Sequence, residues 1–188
     1  MITMRLFVAL EPPAPVVEHL DDFLDVRRDA GGGLRWSPPV QWHVTLAFMG
    51  SAPERVVEDI VDGVGAVAAR TAPPALGLAG GGCFPDVTRA RVLYAGVSGG
   101  AALAPLATSV RAACSVAGAG PEGGAFRPHV TLARFGRPVE ATRWVRVLDA
   151  YAGPPWTATE VAVVASHFSR ESGHRPRHEV LARLPLKG

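Results

Sequence analysis

At 188 residues the chain is long enough for one domain, or for two small lobes sharing one body, and for burying roughly 70% of its unfolded surface. Its hydrophobic fraction of 48% and charged fraction of 19% exclude a disordered chain. A formal net charge of +2, with Lys187 the single lysine among the cations, excludes a nucleic-acid coat protein and permits only a local basic groove.

Residues 5–10 read as a buried strand. Pro12, Pro13 and Pro15 open a helix through about residue 28, with Val16, Val17, Leu20, Phe23 and Leu24 at helical spacing, and Gly31–Gly33 stop it. Residues 34–36 form a short strand, Pro38 and Pro39 a turn, and residues 42–49 a second strand. Pro53 starts a helix to about residue 70, and residues 75–84 are extended.

The order then begins again. A strand at 91–97 is followed by a helix at 101–117, a Gly/Pro-rich loop at 118–124, a strand at 129–135 and a helix at 139–151. Strands at 159–168 and 178–184 close the chain as a hairpin around a polar loop. Two similar runs of strands and helices predict a duplicated α+β unit.

Cys83 and Cys114 have neither disulfide-framework nor metal-site spacing and are expected as reduced thiols. No apolar stretch reaches the roughly 20 residues of a membrane span. The apolar run 5–10 has no basic leader and meets Glu11-Pro12-Pro13, so a soluble, cytoplasmic protein is expected.

The repeat becomes literal at two places. Residues 43–47 are His-Val-Thr-Leu-Ala, and residues 129–133 are His-Val-Thr-Leu-Ala again. Six histidines and nine threonines would give about 0.3 His-x-Thr triplets by chance. A lone histidine on a strand is usually structural, but a matched pair in one five-residue context points to function. With a period of two, His43 and Thr45 share one strand face and Val44 and Leu46 the other; His129 and Thr131 stand likewise against Val130 and Leu132. Two lobes meeting about a pseudo-twofold axis would bring two imidazoles and two hydroxyls to one point.

Such a point suits a cyclic phosphodiester. Its hydrolysis needs a base for the attacking water and an acid for the departing ribose oxygen, and imidazole serves as either near neutral pH. Thr45 and Thr131 are candidates to hold the non-bridging oxygens, and an arginine would offset the charge on them. No metal or other cofactor is called for: there is no His-x-x-x-His, no Cys pair and no acidic cluster beside either motif. The two motifs are locally near-identical, so these residues alone do not rank His43 against His129 as acid or base. Phe48 is a candidate base-stacking ring, though aromatics at such positions are more often core. Gly31–Gly33 and Gly80–Gly82 lack the spacing and lysine of a phosphate loop and are turns.

At these residues the chain resembles the 2H phosphoesterase superfamily, and within it the LigT-like RNA 2′,3′-cyclic phosphodiesterases, also called the 2′-5′ RNA ligase family. The resemblance runs through Arg5-Leu-Phe-Val-Ala-Leu, Leu34-Arg-Trp, His43-Val-Thr-Leu-Ala-Phe-Met-Gly, Phe84-Pro, Arg91-Val-Leu-Tyr-Ala-Gly-Val and Phe126-Arg-Pro-His-Val-Thr-Leu-Ala-Arg134. It implies a single 2H phosphoesterase domain over residues 1–188. The fold would be α+β, bilobal and duplicated: two pseudo-symmetric lobes, each an antiparallel sheet flanked by helices, with the cleft between them. The approximate halves, 1–90 and 91–188, each carry one motif. It also implies hydrolysis of RNA or oligonucleotide 2′,3′-cyclic ends to 2′-phosphomonoesters by a metal-free monomer, with His43 the acid, His129 the base and Arg134 a phosphate ligand. A 2′-5′ oligonucleotide hydrolase or ligase of the same fold, or a non-catalytic RNA- or nucleotide-binding module, is the alternative. Two positions depart from the family pattern: His178, where many relatives carry tyrosine, and Trp42, where smaller residues are common.

Overall fold

A computed structural model describes residues 2–30, 32–168 and 175–188. Gly31, His174 and most of the predicted loop before the last strand lie outside the described residues. The elements in chain order are β1 (Thr3–Leu10), α1 (Ala14–Arg28), β2 (Leu34–Trp36), β3 (Val44–Pro53), α2 (Val57–Ala69), β4 (Ala75–Phe84) and β5 (Ala90–Ser98). There follow α3 (Leu103–Val116), β6 (His129–Val139), α4 (Thr142–Asp149), β7 (Trp156–Thr157), β8 (Glu160–His167) and β9 (Arg177–Pro185). Pro39–Gln41 makes a 3-10 turn where the prolines predict one. The helix predicted from residue 139 begins at Thr142 because β6 continues through Val139, which pairs with Ala90.

The strands form one antiparallel sheet in the order β7-β4-β5-β6-β3-β1-β8-β9, with β2 added beside β6. The order is symmetric about its centre: β6 answers β3, β5 answers β1, β4 answers β8 and β7 answers β9. Each half of the sheet therefore takes its third strand from the other half of the chain. β4 leaves α2 to pair with β5, and β8 leaves α4 to pair with β1. This exchange stitches the two lobes into one body.

Alternation decides which face of the sheet is covered. On β1, Leu6, Val8 and Leu10 pack with residues of all four helices in one core. Phe7 and Ala9 point to the opposite face, where they meet Ala162, Val164 and Phe48 in a small separate cluster. That face carries no helix-side core, and it is the face on which the two motifs open. No helix among the described residues is long and apolar enough to cross a membrane.

Candidate active site

β3 and β6 meet at a single residue pair, Val44 against Val130, in antiparallel register. Stepping outward from that pair, His43 stands across from Thr131, and Thr45 across from His129. The valines and leucines of both motifs are buried, while both histidines and both threonines are half-buried. Beyond this pair the strands splay, and β2 fills the gap by pairing Leu34, Arg35 and Trp36 with Phe135, Arg134 and Ala133. The duplicated motifs therefore sit back to back about a pseudo-twofold axis at the floor of a groove.

A second duplicated feature lies one residue further on. Between β1 and β3 the register runs Val8 to Ala47 and then Ala9 to Thr45, leaving Leu46 as an extra residue. Between β5 and β6 it runs Leu93 to Ala133 and then Tyr94 to Thr131, leaving Leu132 extra. Each bulge reverses the facing of the residues beyond it on the strand. Arg134, three residues after Thr131, would point to the helix side of a regular strand. The bulge sets it opposite Val92, on the face of Tyr94 and Thr131. Phe48, its counterpart in the first motif, likewise returns to the groove face opposite Phe7. The carbonyl of the bulged Leu46 accepts a hydrogen bond from Nε of Arg111 on α3.

Both imidazoles are oriented in the same way. Nδ1 of His43 lies 2.7 Å from the carbonyl oxygen of Gln41, and Nδ1 of His129 lies 2.7 Å from that of Arg127. A carbonyl only accepts, so each Nδ1 carries the proton and each Nε2 is left to exchange one. The ring of His43 stacks on Phe7 at 4.4 Å and meets the ring of His178 edge-on at 5.7 Å. The ring of His129 meets Phe84 at 4.8 Å and Tyr94 at 5.4 Å.

This packing lowers both pKa values. Burial takes His43 down to about 4; the Gln41 carbonyl and the Glu11 carboxylate oppose the shift, and His178 and His129 add to it. His129 is also lowered, by burial first and then by the Arg134 guanidinium, against the pull of the Arg127 carbonyl. His178 is lowered by burial and lifted by Glu11. A proton on either catalytic candidate thus disfavours one on its neighbour.

A folded-state pKa below the unfolded value means that the unfolded chain binds more protons. The stability associated with neutral His43 is complete above about pH 6.5 and is lost as pH falls toward 4. Denaturant titrations of the wild type and His43→Gln at pH 7 and 4.5 should show the variant gaining about 2–3 kcal/mol on the wild type at the lower pH. Equal pH dependence in the two proteins would contradict the assignment.

The structure thus brings His43, Thr45, His129, Thr131, Phe48 and Arg134 to one face. Phe48 packs on the Phe7 cluster, and the guanidinium of Arg5 lies 5.1 Å from its ring centroid, covering one side. The side chain of Arg127 is exposed, and its contribution to the site is the carbonyl under His129. Trp42 is buried in the helix-side core. Trp36 packs edge-on against Trp144. His19, which has no evident partner in the sequence, holds the Tyr151 hydroxyl at 3.0 Å, and His167 is paired with Glu179.

Sequence reasoning named His178 only as a departure from the family pattern and missed several other residues of the groove. His178 reaches it because its register partner is Ser166, two residues along β8 from Val164 of the groove-side cluster. Phe7, Phe84 and Tyr94 form the walls of the two imidazole sites. Glu11, ion-paired with Arg183, supplies the negative potential at His43 and His178. Strand alternation around Phe7 and Tyr94 carried a usable signal for those two; His178 was marked only as a departure from the family pattern, and nothing local marked Glu11. Among the described residues, no three His, Cys, Asp or Glu side chains converge as a metal site requires.

A duplicated α+β sheet with two His-x-Thr strands meeting at its centre defines a class of two-lobed proteins built around paired histidines. The chain belongs to the 2′-5′ RNA ligase superfamily, whose family model matches residues 12–168. It is 32% identical to an RNA 2′,3′-cyclic phosphodiesterase of Geobacillus stearothermophilus over 155 residues, covering 81% of this chain and 48% of that relative. The chain thus spans about half the length of that relative. It is 31% identical to the RNA 2′,3′-cyclic phosphodiesterase of Thermus thermophilus, covering 98% of this chain and 91% of that protein. The crystal structure of E. coli LigT complexed with 3′-AMP superposes with a TM-score of 0.76 at 25% identity, over the whole of both chains.

Proposed function

We propose that the protein hydrolyses 2′,3′-cyclic phosphate ends of RNA to 2′-phosphomonoesters. The observation that carries this reading is the meeting of the two motifs at Val44 and Val130, with one imidazole and one hydroxyl on either side. The similar proteins of Geobacillus and Thermus, named for this activity, support it, as does the 3′-AMP held by LigT.

In this scheme the substrate phosphate lies between the rings of His43 and His129, with Thr45 and Thr131 donating to its non-bridging oxygens and Arg134 offsetting their charge. Nε2 of His129 takes a proton from water as the water oxygen bonds to phosphorus. The bond from phosphorus to the 3′ oxygen breaks, and Nε2 of His43 protonates that oxygen. The acid role requires a proton that burial strips from His43 in the free protein; the phosphate anion seated beside the ring restores it. Repulsion between the two rings disfavours a second proton once one is bound, so an anion that restores one proton leaves the other imidazole free to act as base.

With a 5′-hydroxyl in place of water the same steps would make a 2′-5′ linkage, the reaction for which the superfamily is named. We read the protein as a cytoplasmic monomer working without metal; the two reduced, buried thiols suit a reducing compartment. An oligonucleotide with a 2′,3′-cyclic end, incubated with the protein in EDTA and followed by phosphorus NMR, should give a single 2′-phosphomonoester. A 3′-phosphate product, no turnover, or a requirement for added metal would overturn the proposal.

A further inference from the structure

β2 is the strand that the duplicated fold does not need, since it has no counterpart in the symmetric order. Its three residues fill the space where β3 and β6 diverge, and they bring one charge to the groove. Leu34 and Trp36 face the core with Ala133 and Phe135. Alternation turns Arg35 the other way, and register sets it directly opposite Arg134. The bulge at Leu132 has already placed Arg134 on the face of Thr131 and His129. Two guanidinium side chains thus leave adjacent strands from the same face, with Cβ atoms ~5 Å apart.

Like charges directly opposite one another weaken a strand pair. Neither arginine makes an ion pair among the described residues, and both are exposed. Arg28, by contrast, meets Asp21 and Asp25, and Arg183 meets Glu11 and Glu160, whereas no carboxylate among the described residues pairs with Arg35 or Arg134. The core-facing Trp36 and Phe135 lock the register, so the two arginines stay neighbours and an anion seated between them would meet both. Arg134 is close enough to act electrostatically on His129, so the pair begins beside the reacting phosphate and extends away from it along β2.

A 2′,3′-cyclic end has no phosphate beyond it, and every other phosphate of the strand lies on its 5′ side. We propose that Arg35 binds the phosphate on the 5′ oxygen of the terminal nucleoside while Arg134 holds the cyclic phosphate, so that the protein selects polynucleotide ends over isolated cyclic nucleotides. This rests on the phosphodiesterase reading of the site. The ligand chemistry is that of two phosphates on one ribose, and a guanidinium pair suits both.

The test uses product-like ligands that need no turnover. By titration calorimetry the wild type should bind adenosine 2′,5′-bisphosphate about tenfold to a hundredfold more tightly than adenosine 2′-monophosphate. Arg35→Gln should abolish that preference and leave the affinity for the monophosphate unchanged, which also shows that the variant is folded. The affinity for the bisphosphate should fall less steeply with added salt in the variant than in the wild type, since one charge–charge contact open to screening has been removed. Equal binding of the two ligands by the wild type overturns the proposal. So does a preference that survives Arg35→Gln, or an equal loss of both ligands in that variant and in Arg35→Lys. Absence of turnover on cyclic ends with the preference intact would instead defeat the catalytic reading and leave the two-phosphate site standing.

Discussion

Replacing His43 by alanine is expected to lower kcat on a 2′,3′-cyclic-ended oligonucleotide by about 10³–10⁴, and His129→Ala to do the same. In the proposed mechanism each imidazole serves a proton transfer, a contribution worth roughly 10²–10⁴ in rate, and a lost acid also leaves the base without a departing group to drive. The double variant should therefore be hardly slower than either single one, because groups that act as a unit do not contribute additively. The fold should survive. Each ring occupies a groove-facing position outside the helix-side core, and the buried Val44 and Val130 that join the strands remain. Single-turnover rates beside thermal denaturation curves would check this. A single alanine variant that stays folded and keeps more than about a tenth of the wild-type kcat would remove that histidine from the proton chemistry.

What the sequence made legible was local. The strand period placed His43 with Thr45 and His129 with Thr131, and the motif repeat announced that two such strands exist. The helices α1, α2 and α3 were legible from apolar spacing ended by glycine or proline. The exchange of β4 and β8 was not, because nothing within residues 75–84 or 160–167 states which strand each will join; the partners, β5 and β1, lie in the other half of the chain. The bulges at Leu46 and Leu132 were also hidden. Leucine there looks like one more core residue at the correct spacing, and only the pairing with β1 and β5 exposes the extra residue. The consequence was practical: Arg134 counted by period two points to the wrong face, and Arg35 counted alone looks like a surface charge. His178 entered through a register set from the far edge of the sheet. β7, two residues long, carries too short a pattern to be read at all.

Arg134→Ala should cost about 10²–10³ in kcat/KM, the usual loss when a preplaced group facing developing charge is removed. Arg134→Lys should recover only part of it, since an ammonium returns the charge without the paired N–H groups. The more telling reading is the pH profile. Both imidazoles of the free protein titrate below their ordinary value, and kcat/KM reports the free protein. The bell should therefore peak below pH 6.5 and fall as pH rises and the acid form is lost. The guanidinium of Arg134 is one cause of the low value at His129, so taking it away should move the limb belonging to His129 toward 6.5 while the limb belonging to His43, near 4, stays in place. An arginine that only held β6 in shape would lower the rate and leave both limbs where they were. A profile moved at one limb alone would mean that the charge at position 134 is felt at the second imidazole, as the bulge at Leu132 makes possible and an unbroken strand would not.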